Sequence, residues 1–396
     1  MISQQMKKMI ATSSAIREMF EEGKRLAEIY GKENVFDFSL GNPSVKPPQS
    51  VNQSIKDIVD ETSEIELHGY MNNSGFSSTR AAVAGYFNKR YGTTYGEKNV
   101  VMTVGAAGGL NVVLKSLLNE GDEVVVFCPY FGEYRNYIDN YGGKIVEVPA
   151  NPPTFLPDLD VTEKLLTSKT KAVIVNSPNN PTGVVYDKEF LTELVSTLDR
   201  AQKKWGNAIY LISDEPYREI VYGDAKVEFL PSLYDNTIVG YSYSKSLSLP
   251  GERIGYLLIP DTCTDFEELI ASCNVATRIL GFVNAPSLQQ KLVERCVEET
   301  CDITPYSDNK NILTEGLKKM GFEYVNPQGA FYLFVKSPIE DDKEFCRIAK
   351  EYNLLLVPGS SFGCKGYVRI AYCVSKDTVV GSMTQFEKLA KRMNLI

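Results

Sequence analysis

The chain has 396 residues, 43% of them apolar, and a formal net charge of −8. That length points to two domains, and the acidic balance offers no electrostatic footprint for nucleic acid or an anionic membrane. A single histidine, His68, leaves almost no material for a Ser-His-Asp triad, a Cys-His pair or a multi-histidine metal site. Acid-base chemistry would then fall to Lys, Tyr, Asp, Glu or a cofactor, and His68 itself reads as structural. The eight cysteines are scattered without a CxxC, so reduced thiols and no metal centre are expected. The N-terminal segment has no apolar core of a signal peptide, which favours the cytoplasm.

In chain order, residues 13–30 predict an amphipathic helix with Ile16, Met19, Phe20 and Leu26 on one side and Ser13 or Ser14 as cap. From about residue 98 the pattern alternates. Short β-branched runs appear at KNVVMTV, DEVVVFCP, GKIVEVP, KAVIVNSP, AIYLISDEP, NTIVGYSYS and RIGYLLIP, with helix-length segments between most of them. In DKEFLTELVSTLDRAQKKW, residues Leu191, Leu194, Val195, Leu198 and Trp205 fall on one helical stripe. Near-continuous apolar strands between amphipathic helices predict an α/β fold, a mainly parallel sheet covered on both faces. After about residue 282 come two helical stretches, the strands AFYLFVK, LLLVPG and YVRIAYC, and a closing helix, an α+β arrangement. The change of rhythm suggests a large domain over 46–281 and a small one from 1–45 with 282–396.

Ligands of such sheets bind beyond the carboxyl ends of the strands, so chemistry is sought there. After KNVVMTV comes GAAGGLNVVLKSLL, a small-residue loop opening a helix, whose bared N–H groups suit a phosphate as well as close packing. It is neither a GxGxxG nor a GxxxxGK[ST] loop, which counts against dinucleotide and nucleotide readings. Tyr130 and Phe131 follow DEVVVFCP, and the rigid, polar NSPNNPTG follows KAVIV. Asp214 ends AIYLIS, where an acid is costly unless paired. After NTIVGY, Ser242, Ser244, Lys245 and Arg253 bring two hydroxyls, an amine and a guanidinium. A desolvated lysine beside cationic charge has a lowered pKa and can attack a carbonyl. Each feature has an ordinary structural explanation, but together they are the parts needed to hold pyridoxal phosphate.

NNPTG, SDEPY, SYSK and the arginine eight residues after the lysine resemble the signature of class I/II aminotransferases, with the resemblance running from FDFSLGNP to YVRIAYC. It implies the type I fold of pyridoxal phosphate enzymes, with a seven-stranded sheet in the large domain, and a role for each matching residue. Lys245 would carry the cofactor as a Schiff base and then act as general base. Ala106, Ala107, Ser242 and Arg253 would bind its phosphate, Phe131 would stack on its ring, Asn180 and Tyr217 would bond its 3′-oxygen, and Asp214 its ring nitrogen. Gly41 and Asn180 would meet the substrate, and Arg369 would pair with its α-carboxylate. Tyr70 would reach the phosphate of a neighbouring subunit, implying a homodimer, and Arg278 stands near the position of a second arginine that reads a side-chain carboxylate. The implied activity is amino transfer from an L-amino acid to a 2-oxo acid, with aspartate and 2-oxoglutarate favoured. Aromatic, alanine or broad specificity and β-elimination at a C–S bond stay open.

Overall fold

The computed structural model describes residues 2–11 and 15–396. The expected cap at Ser13 or Ser14 lies outside them; the helix it would open is observed as Ala15–Tyr30, preceded by a separate helix Gln4–Ala11. Thirteen strands follow in chain order. They are β1 Phe36–Asp37, β2 Val100–Thr103, β3 Glu123–Phe127, β4 Lys144–Val148, β5 Thr170–Asn176, β6 Tyr210–Asp214 and β7 Thr237–Ser242. After these come β8 Gly255–Leu258, β9 Tyr324–Val325, β10 Tyr332–Lys336, β11 Leu354–Leu355, β12 Val357–Pro358 and β13 Tyr367–Ala371.

Strands β2 to β8 form one seven-stranded sheet in the order β2-β8-β7-β6-β5-β3-β4. Each apolar run anticipated from the sequence supplies one of them. All neighbours pair in parallel except β8, which runs antiparallel to both β2 and β7. In β3, Val124 and Val126 pack into one core while Val125 and Phe127 pack into another, so the strand is apolar at four successive positions after Glu123 because both faces are covered. Helices Gly105–Leu117 and Phe266–Ile279 contribute to the first core and Lys188–Trp205 to the second. Asp187 caps that last helix by accepting from Phe190 N, and Leu191, Leu194, Val195 and Leu198 are buried as the stripe requires. Trp205 departs from it. It is exposed at the helix end, where its indole N–H donates to Leu166 O at 3.2 Å, because the stripe has already passed the edge of the sheet.

The second unit is a four-stranded antiparallel sheet, β12-β13-β10-β9, beside the parallel pair β1-β11. Helices Thr304–Lys319, Asp342–Lys350 and Lys376–Arg392 share its core with Phe36 and Phe38. Helix Ser287–Cys296 packs elsewhere: Leu292, Val293 and Cys296 share a core with Val51, Ile58, Val83 and Phe87 of the large unit. Among the described residues no helix is long and apolar enough to cross a membrane.

Candidate active site

A cavity of about 260 Å³ opens at the carboxyl ends of β5, β6 and β7, against β10 and β13 of the small unit. Gly41, Ala106, Ala107, Phe131, Asn180, Asp214, Tyr217, Ser242, Lys245, Arg253 and Arg369 all line it. Tyr70 and Arg278 do not. Tyr70 is 93% exposed, and Arg278 sits exposed on the helix Phe266–Ile279. His68 is exposed at the end of the short helix Glu64–His68 and takes no part in the cavity.

One end of the cavity is built for an anion. The helix Gly105–Leu117 begins at Gly105 itself, so Ala106 and Ala107 form its first turn, where N–H groups lack intrahelical acceptors. The expected loop is therefore helix from its first small residue. Gly105 has φ +70°, and a Cβ there would lie 2.9 Å from Arg253 Nη2, so glycine permits both the turn and the approach of the guanidinium. Ser242 Oγ and Ser244 Oγ lie 2.8 Å apart beside the same guanidinium. Arg253 itself sits in the left-handed region at φ 52°, ψ 52°, uncommon for a non-glycine residue and a form of strain that concentrates at functional sites. Among the described residues Arg253 forms no ion pair: its Nη1 donates to Pro250 O at 3.0 Å and to Ser244 Oγ at 3.5 Å, which leaves Nε and Nη2 available.

At the far end, Asp214 closes β6 fully buried. Tyr134 donates to its Oδ2 at 2.5 Å, whereas Oδ1 is buried with no hydrogen-bond partner. Burial pushes its pKa up to about 7, with the Tyr134 hydrogen bond pulling the other way. Asn176, at the end of β5, holds the neighbouring backbone: its Nδ2 donates to Asp214 O at 2.9 Å and its Oδ1 accepts from Asn180 N at 2.8 Å. Tyr217 and Tyr332 share a hydrogen bond of 2.8 Å between their hydroxyls.

Lys245 projects from the short helix Tyr243–Ser246 directly after β7, and its Nζ donates to Gly41 O at 2.7 Å. Burial holds its pKa down to about 8, helped by the positive charges of Arg253 and Arg369 and opposed by Cys373. A Cβ at Gly41 would collide with the Tyr332 hydroxyl, so a glycine is needed for the backbone to come this close. Arg369, on β13, is 2% exposed. Its Nη1 donates to Asn180 Oδ1 at 3.0 Å and its Nη2 to Ser39 O at 2.5 Å, while Nε is buried with no acceptor. The guanidinium lies between the rings of Tyr332 and Phe362, 4.6 and 4.9 Å from their centroids. Burying a guanidinium without a carboxylate costs several kcal/mol, to the point that its pKa is lowered.

The two orphaned atoms make the fit to pyridoxal phosphate specific. Asp214 Oδ1 is an acceptor waiting for a ring N–H, and Arg369 Nε is a donor waiting for a carboxylate. Between them stand a reactive amine and, at one end, an anion cradle. Tyr134, Asn176, Tyr332 and the Ser39 carbonyl were given no role from the sequence. Tyr134 lies three residues after Phe131 in YFGEY and Asn176 opens NSPNNPTG, so both stood inside motifs already singled out. Tyr332 and Ser39 arrive from distant parts of the chain.

Fold and site together define a pyridoxal-phosphate-dependent enzyme acting on amino acids. The chain belongs to the family described as aminotransferase class I and II, which matches residues 33–381. It is 34% identical to an aspartate aminotransferase of Thermotoga maritima, over 92% of this chain and 94% of that one. It is 32% identical to aromatic-amino-acid aminotransferase 2 of Thermococcus litoralis over 97% of both. Among solved structures, an amino transferase of Eubacterium rectale superposes with a TM-score of 0.96 at 46% identity over 100% of both chains. The aspartate aminotransferase of Thermus thermophilus with maleate gives 0.87 at 25% identity, covering 98% of this chain and 99% of that one.

Proposed function

We propose that this aminotransferase moves the amino group of L-aspartate to 2-oxoglutarate, working as a homodimer in the cytoplasm. The observation that carries the amino-acid site is the buried, carboxylate-free guanidinium of Arg369 on the same cavity as the amine of Lys245. The aspartate reading is supported by the names of the relatives and by maleate, a four-carbon dicarboxylate, in the Thermus structure. Arg278 is the candidate for a side-chain carboxylate, and its exposure on its own chain agrees with use by a second copy. The exposed Tyr70, with Ile65 five residues earlier 88% exposed, favours a subunit contact over this stretch. We also propose the domain division at 45/46 and, given the packing of helix Ser287–Cys296 on the large unit, a second boundary beyond that helix rather than at 281/282.

In the proposed mechanism, bound pyridoxal phosphate draws electrons from the amino acid's Cα and so acidifies its hydrogen. The chain's own residues do the rest. Arg369 would pair with the α-carboxylate through its planar fork, which the Tyr332 and Phe362 rings hold in place while Asn180 and the Ser39 carbonyl orient it. Lys245 Nζ, depressed to about 8, has a far larger neutral fraction than an ordinary lysine and would take the Cα proton. Asp214 Oδ1 accepts from the ring nitrogen, and that cationic partner reverses the penalty that burial imposes on the carboxylate. Ala106, Ala107, Ser242 and Arg253 would hold the phosphate, Phe131 would cover the ring and Tyr217 would bond its oxygen.

A donor panel tests the substrate. With 2-oxoglutarate fixed, kcat/KM for L-aspartate is expected to exceed that for L-alanine and L-tyrosine by about tenfold or more, the worth of one well-placed charge pair. Equal or inverted values would contradict the aspartate assignment and leave the family untouched.

A further inference from the structure

The Tyr332 ring lies against Arg369, but its hydroxyl meets Tyr217, and all three residues line the cavity. On β10, Tyr332 stands opposite Ala371 of β13, two residues on from Arg369, so both side chains leave one face of the small sheet. The Tyr332 and Tyr217 hydroxyls lie 2.8 Å apart, and their rings meet edge to face at 5.6 Å and 84°. The turn carrying Tyr217 is tied to the approach to β10 by two backbone bonds. Ala330 N donates to Ile220 O and Tyr222 N to Gln328 O, each at 2.9 Å. Gly41 backs the Tyr332 hydroxyl so closely that a Cβ there would collide with it. Both tyrosines are buried, so the contact is held by the backbone and packing around it.

The two phenols are not equivalent. Each has one proton to donate, and among the described residues neither hydroxyl has another hydrogen-bond partner. Burial pushes the Tyr332 phenol up to about 12, with the positive charge of Arg369 pulling the other way. Tyr217 is pushed well above its ordinary value by burial and then by Tyr332. The more acidic phenol is the better donor, so Tyr332 donates to Tyr217 Oη and leaves the Tyr217 proton for an acceptor in the cavity. We propose that Tyr332 is a positioning residue: by donating to Tyr217 Oη it directs the Tyr217 proton onto the ring oxygen of bound pyridoxal phosphate. This role rests on the cofactor contact proposed above for Tyr217, to which it adds a residue and a direction. Two such bonds in series strengthen the second, because each hydroxyl is polarised by the one behind it.

The test reads the absorption of the cofactor-loaded enzyme against pH, apart from turnover. A hydrogen bond donated to the ring oxygen favours loss of the proton that this oxygen shares with the link to Lys245, so weakening the bond raises the pH at which the visible band titrates. Tyr332→Phe should move that midpoint up by about 0.5–1 pH unit, the worth of one neutral hydrogen bond. Tyr217→Phe should move it further. Adding Tyr332→Phe to Tyr217→Phe should then move it no more, because Tyr332 acts through Tyr217. In Tyr332→Phe, KM for the amino acid should stay within about twofold, since the ring still lies against Arg369. Three results would overturn the proposal: a midpoint that Tyr332→Phe leaves in place, a shift of equal size with and without the Tyr217 hydroxyl, or a KM raised about tenfold, which would assign the hydroxyl to the Arg369 end. In the first case Tyr217→Phe alone decides what else falls: a shift leaves the cofactor contact of Tyr217 standing, and no shift removes that contact too.

Discussion

Lys245→Ala is expected to lower turnover by about 10⁴-fold, the combined loss of a covalent anchor and a general base. The cavity keeps its anion cradle, Asp214 and Tyr217 in that variant, so cofactor should still bind noncovalently. The wild-type protein adds a pH signature. Burial holds the amine near a pKa of about 8, so its neutral, reactive fraction grows as pH rises through that value. The rate at which cofactor-free protein captures pyridoxal phosphate, followed by absorbance after rapid mixing, should climb with pH, reach half its maximum near 8 and level off about one unit higher. The variant should show no covalent capture at any pH. Near-normal turnover in Lys245→Ala would remove the residue from the chemistry.

Arg369→Ala should cost kcat/KM for the amino acid about 10²–10³-fold, the range for removing one partner of a buried charge pair. The residue lies at the centre of β13 opposite Phe334, between two aromatic rings, so alanine also leaves space and an unpaired Ser39 carbonyl. Arg369→Lys separates these effects. It keeps a charge but loses the planar fork, and should recover only part of the loss. Since Arg369 touches the substrate end of the cavity, the absorption of bound cofactor should change little in either variant. An unchanged kcat/KM would take Arg369 out of the carboxylate site.

The large sheet was legible because parallel strands covered on both faces must be apolar at successive positions, as Val124 to Phe127 are. The candidate site residues were legible because the fold gathers them at strand ends, where each sits in a short contiguous motif: Asp214 after YLIS, Lys245 after IVGYSYS. Arg369 was reached only through the resemblance carried by YVRIAYC. Tyr332 was not reached, since a tyrosine in AFYLFVK has the character of an ordinary strand residue, and only the approach of β10 to Gly41 and Tyr217 gives its hydroxyl a role. Ser39 contributes a carbonyl, which carries no side-chain signature at all. The helix Ser287–Cys296 follows the change of rhythm near residue 282 yet packs on the large unit, because its apolar stripe meets Val51 and Phe87, partners that periodicity cannot name. Tyr70 and Arg278 are exposed on the single chain, so the roles proposed for them depend on a second copy.

The most direct test of the central claim is a half-reaction: the visible absorption spectrum of the enzyme loaded with pyridoxal phosphate, recorded before and after L-aspartate is added alone. The band of the Lys245-bound cofactor should disappear on addition of aspartate and return with 2-oxoglutarate, because the amino group is stored on the enzyme between substrates. A band that survives aspartate, alanine and aromatic amino acids alike would contradict amino transfer at this cavity.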